Sequence, residues 1–128
     1  VKDTYHDTKI APSLVSAVQA ATLKGDAVDL QGFGSALMAV NTGAIASSGL
    51  YDVRMQESDT TTDGDFTDVA FADLLGSLPS SLAASSVYRQ GYIGKRRYIR
   101  AVITKQSGTS IAAGAVFILG HPALAPVA

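Results

Sequence analysis

The amino-acid sequence predicts an all-β protein, a β-sandwich or jelly-roll of about eight short antiparallel strands behind an extended N-terminal arm. Three observations lead there. Gly 12 and Pro 4 punctuate short runs of small and β-branched residues. Sustained helical periodicity is scarce, and turn signals recur at near-regular spacing. With 128 residues and 13.2 kDa the chain fits one domain, read as an arm over 1–12 and a single β domain over 13–128. At this mass about 19,000 Å² is exposed unfolded and about 6,400 Å² folded, enough burial for a core without cross-links.

The elements follow in chain order. Residues 1 to 12 are polar and end in Ala11-Pro12, the pattern of an arm that orders only where something ties it down. Leu14 to Leu23 has features of a helical turn, but Val15, Val18 and Thr22 favour a strand that stops at Lys24-Gly25-Asp26. Ala27 to Leu30 and Ala36 to Val40 read as two short strands separated by Gln31-Gly32-Phe33-Gly34, and Ala44 to Gly49 as a loop of small residues. Tyr51, Val53 and Met55 alternate with Asp52, Arg54 and Gln56, the mark of a half-buried strand. Ser58 to Asp65 is a polar turn with an Asp-Gly pair, and Phe66 to Val69 is the returning strand of a hairpin. Ala70 to Leu82 is a short helix or a crossing loop, closed by Pro79. Val87 to Ile93, Tyr98 to Thr104 and Ile111 to Leu119 are three strands expected to pair as a meander. There is no internal repeat.

The last of these strands is apolar on both faces, Ile111, Ala113, Ala115, Phe117 and Leu119 on one and Ala112, Gly114, Val116 and Ile118 on the other. It must lie mid-core and also be covered outside, either by a loop or C-terminal tail of the same chain or by a neighbouring subunit.

Composition excludes several functions. Lys+Arg 10 against Asp+Glu 11 gives net charge -1, so no global field draws the chain to nucleic acid or an anionic membrane. Cys 0 removes disulfides, thiolate metal sites and cysteine nucleophiles. No apolar run approaches the roughly 18 residues of a membrane span, and the polar opening Val1 to Asp7 lacks a secretory-signal pattern, so a soluble chain is expected. A first residue Val1 fits removal of an initiator Met and equally fits later trimming.

Little catalytic chemistry is written in the chain. His6 and His121 stand apart from any nucleophile motif, and no nucleophile elbow, phosphate-binding glycine loop or zinc-binding helix motif occurs. The expectation is a protein that is not an enzyme and that carries no cofactor. Asp59, Asp63, Gly64 and Asp65 partly match a calcium loop, but its twelfth position is Ala70 instead of a bidentate Glu, so no metal site is assigned. Lys95-Arg96-Arg97, near Arg89, Arg100 and Lys105 and interleaved with Tyr88, Tyr92 and Tyr98, is the one basic concentration. Single-stranded nucleic acid would suit cations beside aromatics. A basic turn that meets an acidic protein surface is the more economical reading in a slightly acidic chain.

Two stretches carry a resemblance to a known family. Asp52-Val53-Arg54-Met55-Gln56-Glu57-Ser58-Asp59 with Phe66-Thr67-Asp68-Val69, and Gly91 to Val102 with Gly120-His121-Pro122, resemble head decoration (cement, capsid-stabilising) proteins of tailed bacteriophages. The likeness spans about Asp29 to Val127. It implies a virion structural protein, made in the bacterial host cytoplasm, that binds the outer capsid surface at junctions between major capsid subunits, commonly as a homotrimer. On that reading the arm residues Tyr5, His6, Lys9 and Ile10 and the basic turn Lys95, Arg96 and Arg97 touch the major capsid protein, while Val116 and Ile118 face a sister subunit. Membrane and nucleic acid are not expected partners. The alternative is a carbohydrate- or host-binding module of a fibre or tail, since jelly-rolls also serve as lectins; Trp 0 and Tyr 5 leave few aromatic platforms for sugar.

Overall fold

A computed structural model describes residues 3–123. Val1 and Lys2 of the expected arm lie outside them, as do residues 124–128 of the expected domain and, with them, the tail proposed as a cover for the last strand. Ten strands follow in chain order: β1 (Lys9–Gln19), β2 (Leu23–Lys24), β3 (Val28–Asp29), β4 (Phe33–Ala46), β5 (Leu50–Ser58), β6 (Thr67–Asp68), β7 (Leu74–Leu75), β8 (Val87–Tyr92), β9 (Tyr98–Ser107) and β10 (Ser110–Pro122). They form two antiparallel sheets, β1-β10-β4-β8-β7 and β2-β9-β5-β6, with β3 also on β9. The protein is therefore the β-sandwich that the sequence predicts. Counting β2 and β3 as one interrupted strand, and leaving out the short added edge β7, the chain rolls up so that first pairs with eighth, second with seventh, third with sixth and fourth with fifth. That nested order is a jelly-roll.

Alternation builds the core. Tyr51, Val53 and Met55 of β5 and Ile99, Ala101 and Ile103 of β9 face inward from one sheet. Met38 and Val40 of β4 and Ile111, Ala115, Phe117 and Leu119 of β10 face them from the other. A side chain such as Phe117, fully buried, contributes about 2–3 kcal/mol relative to exposure. Tyr51 keeps its polar end satisfied by donating to the Thr109 carbonyl at 3.0 Å.

Four expectations change. The three closing strands are no meander, because β8 and β10 lie in one sheet and β9 in the other. Turn residues mark where a chain reverses but not into which layer, and sheets about 10 Å apart are bridged by the short links at 93–97 and 108–109. The small-residue segment Ala44 to Gly49 is mostly strand, since β4 runs to Ala46 and only Ser47 and Ser48 turn. Residues 70–82 form the crossing loop and not the helix, with a 3-10 turn at Phe71–Asp73. The arm is shorter than expected: Lys9–Pro12 belong to β1 and pair with Leu119 to Val116.

Candidate functional site

Each residue expected to touch a partner sits near the end of the sandwich where β1 starts and β10 ends, or on the outer face beside it. Tyr5–Asp7 form a 3-10 turn in which Tyr5 is 82% exposed and meets the His6 ring edge-on. The His6 imidazole also bonds the Asp3 carboxylate, and this hydrogen bond holds the Asp3 carboxyl below its usual range. Lys9 opens β1 opposite Leu119.

The basic turn reaches the same end. Arg97 clamps Asp29 with two parallel bonds, Nε to Oδ1 at 3.0 Å and Nη2 to Oδ2 at 2.9 Å. Asp29 titrates below its usual range, chiefly through these Arg97 bonds and with a smaller contribution from the charge of Lys9. Asp29 thus ties β3 to the basic turn, 68 residues away in sequence, while Lys9 makes no hydrogen bond or ion pair with it. Arg96 donates its backbone N–H to the Tyr92 hydroxyl at 3.0 Å and pairs its guanidinium with Asp59. Lys95 is exposed and has no carboxylate partner among the described residues. Between these groups and the 30–36 segment lies an open cleft of about 590 Å³, lined by Phe33, Tyr92, Ile93, Lys95 and Arg96 among others.

Tyr92 forms the floor of that cleft. Only 5% exposed, it donates to Glu57 Oε2 at 3.1 Å, and burial pushes its hydroxyl up to about 12. Its ring packs against Gly94, where any β-carbon would fall 2.5 Å from the ring. Buried in this way, Tyr92 offers no stacking platform, and Tyr88 and Tyr98 are half-buried. The cations that would grip phosphate, Arg96 and Arg97, already hold carboxylates of their own chain.

The structure separates Ile10 from the rest of the arm. Ile10 pairs directly with Ile118, and Pro12 with Val116, so Ile10 belongs with the two residues expected to face a sister subunit. Val116 and Ile118 are half-buried between β1 and β4 on the outer face of their sheet.

The acidic turn is occupied by the chain's own donors. Asp59 meets Arg96, Asp63 accepts from Arg100 Nη1 at 2.7 Å and Lys24 Nζ at 3.1 Å, and Asp65 accepts from Thr60 Oγ1 at 2.7 Å. Among the described residues no cluster of acids and histidines is arranged to hold a metal. Arg100 itself is a residue that sequence reasoning grouped with the basic surface and that the fold buries. Its side chain is 7% exposed, bonds Gln56 Oε1 through Nε and Nη2, and lies 4.1 Å over the Phe66 ring. The signal for this was its place on a strand facing the acid-rich 59–65 turn.

No protein-family model matches the chain, and no curated protein matches it in sequence. Among solved structures, the crystal structure of SPBc2 prophage-derived protein YomS aligns over 93% of this chain and 97% of its own, with TM-score 0.52 at 14% identity. At that identity the likeness is one of fold. PirA aligns over 94% of this chain and 97% of its own, at TM-score 0.45 and 12% identity. A chain of infectious bursal disease virus Gx strain aligns over 98% of this chain and 37% of its own, at 0.46 and 11%.

Proposed function

We propose that this chain is a virion structural protein that decorates and stabilises the head of a tailed bacteriophage by binding the outer capsid surface where major capsid subunits meet. The observation that carries the reading is the shared end of the sandwich. There Lys9, at the base of the arm, pairs with Leu119 near the end of β10, and the basic turn lines the cleft beside Phe33–Ala36, which pairs with that same end of β10; these are the two segments that the family resemblance assigns to the capsid. A prophage-derived protein among the fold neighbours supports a phage setting. The jelly-roll suits a surface clamp because its loops gather at the ends while the sheets hold them rigid.

Stabilisation then follows from mass action. A protein that binds the expanded capsid lattice and not its precursor favours the expanded state by its differential affinity, and many weak copies add up. The test is immunogold electron microscopy of purified phage particles, using antibody raised against this chain. Dense label over heads is the expected result. Label confined to tails or fibres would replace this reading with a carbohydrate- or host-binding module, and unlabelled particles would remove the virion role.

A further inference from the structure

Most sheet edges of this sandwich are closed to an added strand. β2, β3, β6 and β7 are each two residues long, β1 carries Pro12 and two register shifts, and β5 is held from outside by Val69 N–H on Met55 O and Leu82 N–H on Tyr51 O. Short strands, proline and bulges are the usual protections of an edge. β8 is the exception. The main-chain groups of its even-numbered residues face β4, in line with the Thr42 N–H that donates to Ser86 O, so those of its odd-numbered residues face outwards. There Ile93 N–H meets Asp73 O and Gly91 pairs with Leu75, the last residue of β7. Gly76, at φ 78°, then turns the chain away from β8. The main-chain N–H and C=O of Val87 and Arg89 are left without a partner among the described residues. Val87 is 74% exposed, and the exposed Arg89 pairs with no carboxylate among the described residues. Residues 124–128 do not reach this edge. Val87 lies in the row of Asn41 and Gly114, about 27 Å along β10 from Pro122, and five extended residues span at most about 18 Å. The N-terminal arm enters at β1, the opposite edge of the same sheet.

We propose that the outer edge of β8 at Val87–Arg89 takes up an extended acidic segment of another protein as an added strand. Main-chain donors and acceptors that repeat every second residue, about 6.8 Å apart, on a solvent-facing edge are matched by another extended backbone. The side chains set its charge. Val87 and Arg89 stand beside Asn41 and Ala39 on the outer face of the sheet, and a residue of the added strand opposite Arg89 points to that same side. A carboxylate there meets an unpaired guanidinium, and an apolar residue two positions away meets Val87. A second copy suits this edge poorly, because antiparallel pairing of β8 with itself about Tyr88 brings two Arg89 side chains together on one face. The edge also lies apart from the end proposed to meet the capsid, since Val87 opens β8 and Tyr92, at the cleft, closes it.

The test follows the backbone amides of the isotope-labelled full chain by NMR as either of two synthetic peptides is added, acetyl-Thr-Val-Thr-Asp-Thr-Val-Thr-amide or its counterpart with Lys in place of Asp. The acidic peptide is expected to shift the Val87 and Arg89 amides with a Kd of about 0.1–1 mM, and the lysine peptide to bind about fivefold more weakly. Arg89→Glu should reverse that order. Val87→Pro should abolish binding, since it removes an edge N–H that bonds nothing within the fold. Should Val87→Pro fail to fold, the reversal by Arg89→Glu decides alone, because Arg89 is exposed and unpaired. No binding of the acidic peptide at about 2 mM overturns the proposal, as does equal binding of the two peptides. Binding that persists unchanged in both variants would put the peptide elsewhere on the molecule and overturn it too. Val87 and Arg89 amides that shift with the concentration of the chain alone would give the edge to a second copy instead. The result stands apart from the immunogold test, since no capsid is present.

Discussion

Gly25 sits where Ser13 of β1 and Ala101 of β9, strands of opposite sheets, meet, and no side chain fits there. Its N–H donates to the Ala101 carbonyl at 2.7 Å, while Ser13 Oγ donates to the Asp26 carbonyl at 2.7 Å and accepts from the Ala101 N–H at 2.9 Å. A β-carbon on Gly25 would lie 2.6 Å from both Ala101 O and Ser13 Oγ, and a backbone oxygen cannot swing aside. Gly25→Ala should therefore cost about 2–3 kcal/mol, seen as a lower urea midpoint at unchanged slope. Tyr92 supplies a second prediction at this scale, through pH. Its hydroxyl is pushed from 10.0 to about 12, first by burial and then by the nearby Glu57 charge. The folded state holds the proton more tightly than the unfolded one, so this contribution is complete below pH 10 and is lost as pH rises from 10 to about 12. Alkaline unfolding curves of wild type should fall across that window, and Tyr92→Phe should flatten them. An absorbance titration in which every tyrosine ionises together near pH 10 would contradict the assignment.

Among the elements, the tight turn by which β4 of one sheet passes to β5 of the other is made by Ser47 and Ser48, at φ 48° and 58°. Gly49 N–H closes the turn onto Ala46 O at 3.2 Å, and two consecutive positive φ values describe a type I′ turn, which Asn-Gly adopts with least strain. The pair Ser47→Asn with Ser48→Gly should stabilise the protein by about 0.5–1 kcal/mol and raise Tm by about 2–5 °C in a thermal melt. At the opposite edge the short β6 is held by side chains as much as by its ladder. Asp68 accepts from Arg54 Nη1 at 3.1 Å and from Gln56 Nε2 at 3.0 Å, cross-strand pairs of the kind that pin register.

For the whole molecule, the two parts of the arm depend on the fold in different ways. Residues 3–8 precede both sheets, whereas Lys9–Pro12 cover one edge of β10. Deleting residues 1–8 should leave Tm close to wild type and lower occupancy on expanded capsids, measured by co-sedimentation. Deleting residues 1–12 should lower Tm as well, because β10 then loses its ladder partner from Val116 to Leu119. Unchanged occupancy after the shorter deletion would take the arm out of the contact.

The sequence alone determined what depends on near neighbours. The period-two pattern of Tyr51, Val53 and Met55 set an inward face, the Asp-Gly turn set a hairpin, and the two apolar faces of Ile111 to Leu119 required a central strand. These signals are local, because side chains alternate and turns reverse within a few residues. Tertiary structure decided what depends on partners distant in the chain. It sent β9 into the opposite sheet from β8 and β10, buried Arg100 against Gln56 and Phe66, paired Arg97 with the distant Asp29, and split Ile10 from the arm to join Ile118. A jelly-roll pairs first with last, so the choice of layer and neighbour is made by long-range ladder bonds and core packing that no short stretch of sequence records.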